Sequence, residues 1–167
     1  MIHPSATDIL KTIDATIEAK VIPSLKDLDG KSAIATVRHL LRLVRVRIEE
    51  EGQILADDIA MLRKLLPQVR DYLVSVGSTE AARIDAVLAE GSADGRYPSL
   101  DRITGEAGAL REALYQALKH LQTMRAARKD EAEYRAVRTA IREYVVWQNE
   151  QERKLIAPAF YGQGPRR

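Results

Sequence analysis

A chain of 167 residues is long enough to bury a real core and suits one domain. With 46% hydrophobic and 30% charged residues it is too apolar for a disordered polymer, and a net charge of +2, balanced along both halves, excludes nucleic-acid binding through bulk charge. Cysteine is absent, which removes disulfides, thiol nucleophiles and thiolate metal sites together.

In chain order, the first helix is expected to start at Ser5 or Thr7, either of which can cap free backbone N–H groups. Its apolar stripe is Ile9, Leu10, Ile13, Ile17 and Val21, and Pro23 ends it. Asp27, Asp29 and Gly30 read as a turn. The second helix is placed from Lys31 or Ser32 to Leu66, with Gly52 a weak point and Pro67 a kink or break, and its stripe continues to Gly77. That stripe is the strongest signal in the chain: Ile34, Val37, Leu41, Val44, Ile48, Leu55, Ile59, Leu62, Leu66 and Val69 recur in steps of three, four and seven residues, which winds one helix face onto a core.

A short third helix spans 79–90, between a capping Ser78 and a stopping Gly91. Residues 91–98 read as an exposed loop. Ser99 caps a fourth helix with the stripe Leu100, Ile103, Ala107, Leu110, Leu114, Leu118 and Leu121. Arg128 to Asp130 form a polar hinge, and the last helix carries Tyr134, Val137, Ile141, Tyr144 and Leu155 before Pro158 stops it. No strand-like alternation is found. The pattern predicts an all-α fold, an antiparallel up-down bundle of four long helices plus one short one. One domain over 1–161 is expected, with 162–167 a flexible tail.

Three features of the second helix bear on function. Leu40, Leu43 and Val46 place apolar side chains away from the main stripe; they fit either a helix wrapped within one chain or an interface with a second copy, making a homodimer. Arg38, Arg42 and Arg45 line one flank, where forked guanidinium donors suit phosphate or carboxylate, or simply a solvated face with intrahelical pairs such as Arg45–Glu49 and Arg47–Glu51. Glu51 and Asp58 sit close to the seam. In the last helix the stripe turns polar at Gln148, Gln151 and Glu152, beside Trp147. Neighbouring polar stretches would make a polar layer able to host a small ligand or fix register; the plainer reading is overhang beyond the core.

Metal and reaction signatures are missing. No Glu-x-x-His pair occurs, and His3, His39 and His120 are expected at the surface. Gly105 and Gly108 lie within the fourth helix without a phosphate-loop context, and are read as places where another helix approaches closely. No metal, cofactor or catalytic residue is assigned. Met1 to Lys20 carries scattered charge and no apolar h-region, and no run approaches a membrane span, so a cytoplasmic protein without membrane or nucleic-acid partners is expected.

Ile9-Leu10, Val21-Ile22-Pro23-Ser24-Leu25 and a following helix with Val37, Val44, Arg47 and Glu49 together resemble an uncharacterised family of short bacterial all-helical proteins, encoded near acyl-CoA dehydrogenases and aminoglycoside-phosphotransferase-like proteins. The resemblance covers about residues 8–66, and Leu40 or a neighbour stands where the family carries asparagine. It implies an accessory role and brings no chemistry with it. The leading expectation is a non-enzymatic, homodimeric interaction protein with candidate interface residues Leu40, Leu43 and Val46. The alternative is a bundle that binds an acyl or CoA-like molecule, with Arg38, Arg42, Arg45, Trp147, Gln148 and Glu152 as candidate ligand-binding residues.

Overall fold

A computed structural model describes residues 4–90 and 98–160; the tail at 162–167 and nearly all of the 91–98 loop lie outside them. Among the described residues there is no strand, and five α-helices follow in order: α1 (Ala6–Thr16), α2 (Leu28–Ser75), α3 (Ala81–Ala89), α4 (Leu100–Arg128) and α5 (Ala132–Phe160). The chain divides into two compact units, one formed by Met1–Gly52 with Gln151–Arg167, the other by Gln53–Glu150.

Helix ends follow local chemistry. Ser5 caps α1 reciprocally with Asp8, each side chain bonding the other's backbone N–H. Ahead of Pro23 the helix loosens into a π turn (Ile17–Val21) and then a 3-10 turn (Ile22–Ser24). Asp27 does not merely turn the chain: its carboxylate accepts from the Gly30 backbone N–H at 2.7 Å, which starts α2 three residues earlier than its stripe implied. Ser99 caps α4 as expected, whereas Ser78 accepts from the Glu80 N–H ahead of α3 instead of capping the helix directly.

Neither Gly52 nor Pro67 interrupts α2. An interior proline costs about 3 kcal/mol, but Leu65, Leu66 and Val69 around it are buried, and that burial offsets the loss. α2 ends on Gly77, whose φ of +70° permits a two-bond Schellman closure, Ser78 N–H to Leu73 carbonyl and Gly77 N–H to Val74 carbonyl. α5 runs past Pro158 to Phe160.

In the second unit helix directions alternate. Asp58 meets Tyr144 while Tyr72 meets Tyr134, so α2 and α5 run oppositely here. Arg63 binds the Leu88 carbonyl and Arg70 approaches Asp85, so α3 returns along α2, and Tyr134 bonds the Leu121 carbonyl across the tight α4–α5 connection. The core joins Leu62, Leu66, Val69 and Leu73 of α2 to Ile84, Leu110, Leu114, Leu121, Val137 and Ile141. The short α3 thus stands as one of this unit's four rods. Arg63 ties three helices at once, pairing with Glu106 at 2.8 Å and donating to the Leu88 and Glu90 carbonyls, where a cation suits a helix C-terminus.

Gly105 and Gly108 do not serve a close helix approach: a Cβ at either meets nothing within 4 Å, and both are exposed. Alanine at either position should therefore raise stability by about 0.5–1 kcal/mol, the helix-propensity difference, visible as a higher urea midpoint with an unchanged slope.

Candidate interaction face and buried polar cluster

In the first unit the buried apolar residues are Ile17, Val46 and Leu155. The stripe expected to face a core does not: Val37, Val44 and Ile48 are 43%, 45% and 50% exposed, and Leu40 beside them 56%. At about 100° per residue, Val46 lies opposite that row. Ion pairs accompany this arrangement. Arg38 donates to Asp14 at 2.6 Å through Nε and to Glu18 at 3.0 Å through Nη2, which draws α1 onto the Arg38 flank of α2 and away from the apolar row. Of the three candidate interface residues, Leu40 is exposed, Leu43 half-buried and Val46 buried.

The arginine row is split. Arg38 and Arg42 line one cleft of about 230 Å³ with Lys31, His39 and Ile34. Arg45 lines another, of about 640 Å³, with Glu49, Glu50, Arg153 and Lys154. Hydrogen bonds from Arg38 outweigh the partial burial of Asp14, and with the nearby charges of Arg42 and Arg45 they hold its carboxyl below the ordinary 3.8. The contact therefore contributes stability above about pH 4 and loses it as pH falls through the lowered folded-state pKa. Replacing Arg38 with glutamine should move the Asp14 carboxyl titration, followed by 13C NMR, back up toward 3.8.

In the second unit, Asp58 is 0% exposed, the one fully buried charged side chain among the described residues. Tyr144 donates its hydroxyl to Oδ1 at 2.7 Å, and Arg111 donates Nε to Oδ2 at 2.8 Å. Each carboxylate oxygen thus receives a donor, and the cation neutralises the buried charge. Burial, then the bond to Asp58, pushes the Tyr144 phenol well up from its ordinary 10.0. Burial alone would lower the Arg111 guanidinium, but Asp58 and Tyr144 outweigh it and raise it. Tyr144 stays a neutral donor and Arg111 a fixed cation, so neither is poised as a base.

Arg111 and Tyr144 also line a cleft of about 200 Å³ between α4 and α5, with Leu114, Tyr115, Leu118, Ile141, Val145 and Gln148. Trp147 is half-buried against the core, 6.3 Å from the Tyr144 ring, and lines a separate cleft of about 350 Å³ with Arg142 and Glu143. Glu152, exposed, belongs to the first unit and lines none of these clefts. The buried polar cluster is built on Asp58, Tyr144 and Arg111, with Gln148 lining the adjoining cleft. Asp58 was legible as a seam residue; nothing in sequence marked Arg111. His39 and His120 are half-buried rather than at the open surface. Among the described residues no group of three or more His, Asp or Glu is placed to hold a metal ion, and no helix is long and apolar enough to cross a membrane.

Compared with protein-family models, curated proteins and solved structures, the chain matches none.

Proposed function

We propose that this is a helical-bundle interaction protein without catalytic activity that works as a homodimer, its second copy covering the Val37, Leu40, Val44 and Ile48 face of α2. The observation that carries this reading is the change of fate along one row. Residues 37, 44, 48, 55, 62, 66 and 73 lie within about 20° of one line on α2. From Leu55 onward they are buried; at Val37, Val44 and Ile48 they are exposed. A row with the spacing that packs against helices in the second unit suits a helical cover in the first.

A second copy fits best because the exposed members of the row are aliphatic and the flanking charges, Arg47 and Glu51, already pair with each other along the helix. A two-fold axis needs only a patch that matches itself. Antiparallel packing of four long helices is part of the same reading, supported inside the second unit by the opposed directions of α2 and α5. The accessory role implied by the resemblance over residues 8–66 is compatible with it.

Analytical ultracentrifugation over a range of concentrations tests the dimer: the expected species has twice the 18.7 kDa chain mass. Val44→Glu, a change at an exposed position that leaves the helix content intact, should return it to a monomer. A monomer at all concentrations, or a V44E protein that still dimerises, overturns the proposal.

A further inference from the structure

The cleft between α4 and α5 has a polar end and an apolar end. At one end stand Arg111 and Gln148. Toward the other, two helical turns and about 10 Å away, Leu118 comes from α4 and Ile141 from α5, with Leu114 and Val145 between. The guanidinium at the polar end is pre-positioned. Its Nε is fixed on a fully buried carboxylate, itself held by Tyr144, while the side chain stays 35% exposed at the cleft. Asp58 takes Nε and the Tyr144 hydroxyl also interacts with the guanidinium, so the pair holds the inner side of Arg111 and its exposed part is offered to an anion at the cleft. A second cation, Lys119, sits 5.5 Å from the ring of Tyr115, which also lines the cleft.

We infer that this cleft binds a small carboxylate with an apolar tail, its head paired to the Arg111 fork and its tail laid along Leu114, Leu118 and Val145. The volume of about 200 Å³ sets the size. At roughly 30 Å³ per small group it houses about seven, which matches a medium-chain fatty acid or a compact aryl acid. The site lies within the second unit and does not depend on self-association.

The test uses the intact chain, titrated with octanoate and followed by methyl 1H–13C NMR. Shifts should concentrate at Leu114, Leu118, Ile141 and Val145. Octanol, which lacks the head, and acetate, which lacks the tail, should each bind at least about tenfold more weakly. Phenylpropionate in place of octanoate separates an aryl from an alkyl tail. Arg111→Lys keeps the charge but loses the fork, and should weaken binding by a similar factor. Leu118→Trp fills the far end without touching Asp58 and should abolish binding in a folded protein, should R111K prove unstable. V44E should bind as the parent does. Shifts confined to Val37, Val44 and Ile48, equal binding of octanol, or unchanged binding by L118W overturns the inference.

Discussion

Arg111→Met should destabilise the protein by about 3–5 kcal/mol, the loss expected when a buried carboxylate is left without its cation. Methionine keeps the aliphatic stem, so the loss reads the charge rather than the packing. Asp58→Asn, the mirror change, should cost less, about 1–3 kcal/mol. Arg111 is part-exposed and can turn its guanidinium to water, whereas Asp58 at 0% exposure cannot escape. Combining the two should cost less than their sum, because each removes the other's stranded charge. Urea denaturation followed by far-UV circular dichroism measures all three. Equal, small losses would mean that water reaches Asp58. Tyr144→Phe completes the set. It removes one of the two donors at about 1–3 kcal/mol and also a part of the alkaline sensitivity. A phenol pushed up in the folded state gives full stability below the ordinary 10.0 and loses it as pH rises above that value.

Leu66→Ala should cost about 2–5 kcal/mol, and Val44→Ala on the same row of the same helix less than about 0.5. Leu66 is fully enclosed, so truncation removes transfer energy and leaves a cavity among Leu62, Val69 and Leu110. Val44 is 45% exposed, and truncation there removes little that is sheltered within one chain. Measured at low concentration, the contrast tests whether periodicity alone decides burial along α2. Comparable losses would show the first-unit face to be covered within a single copy.

That contrast also marks where sequence reasoning stopped. All five helices were legible, with the Ser5 and Ser99 caps and the Arg128–Asp130 break, because caps, glycine stops and three-four spacing are written within a few residues of where they act. The course of α2 through Pro67 was not, since the compensation comes from distant residues that bury Leu65 and Leu66. The orientation of the first-unit face was misread for a related reason. Periodicity reports that Val37, Val44 and Ile48 share a side, but which side α1 takes depends on contacts such as that of Arg38 with Asp14, 24 positions away. The candidate site divides in the same way. Tyr144 lies on the α5 stripe and Asp58 close to the α2 seam, whereas Arg111 sits on the flank of the α4 stripe, where an arginine is ordinary. Its partner is 53 positions earlier, and no spacing rule connects them.

The placement of the chain's single tryptophan gives the protein a built-in optical gauge. Trp147 lies within the second unit, in contact range of Tyr144, so its emission reports that unit, and tyrosine-to-tryptophan energy transfer reports the neighbourhood of the cluster itself. Ellipticity at 222 nm, by contrast, averages over the helices of both units. If the two signals melt at different temperatures, the first unit comes apart on its own schedule.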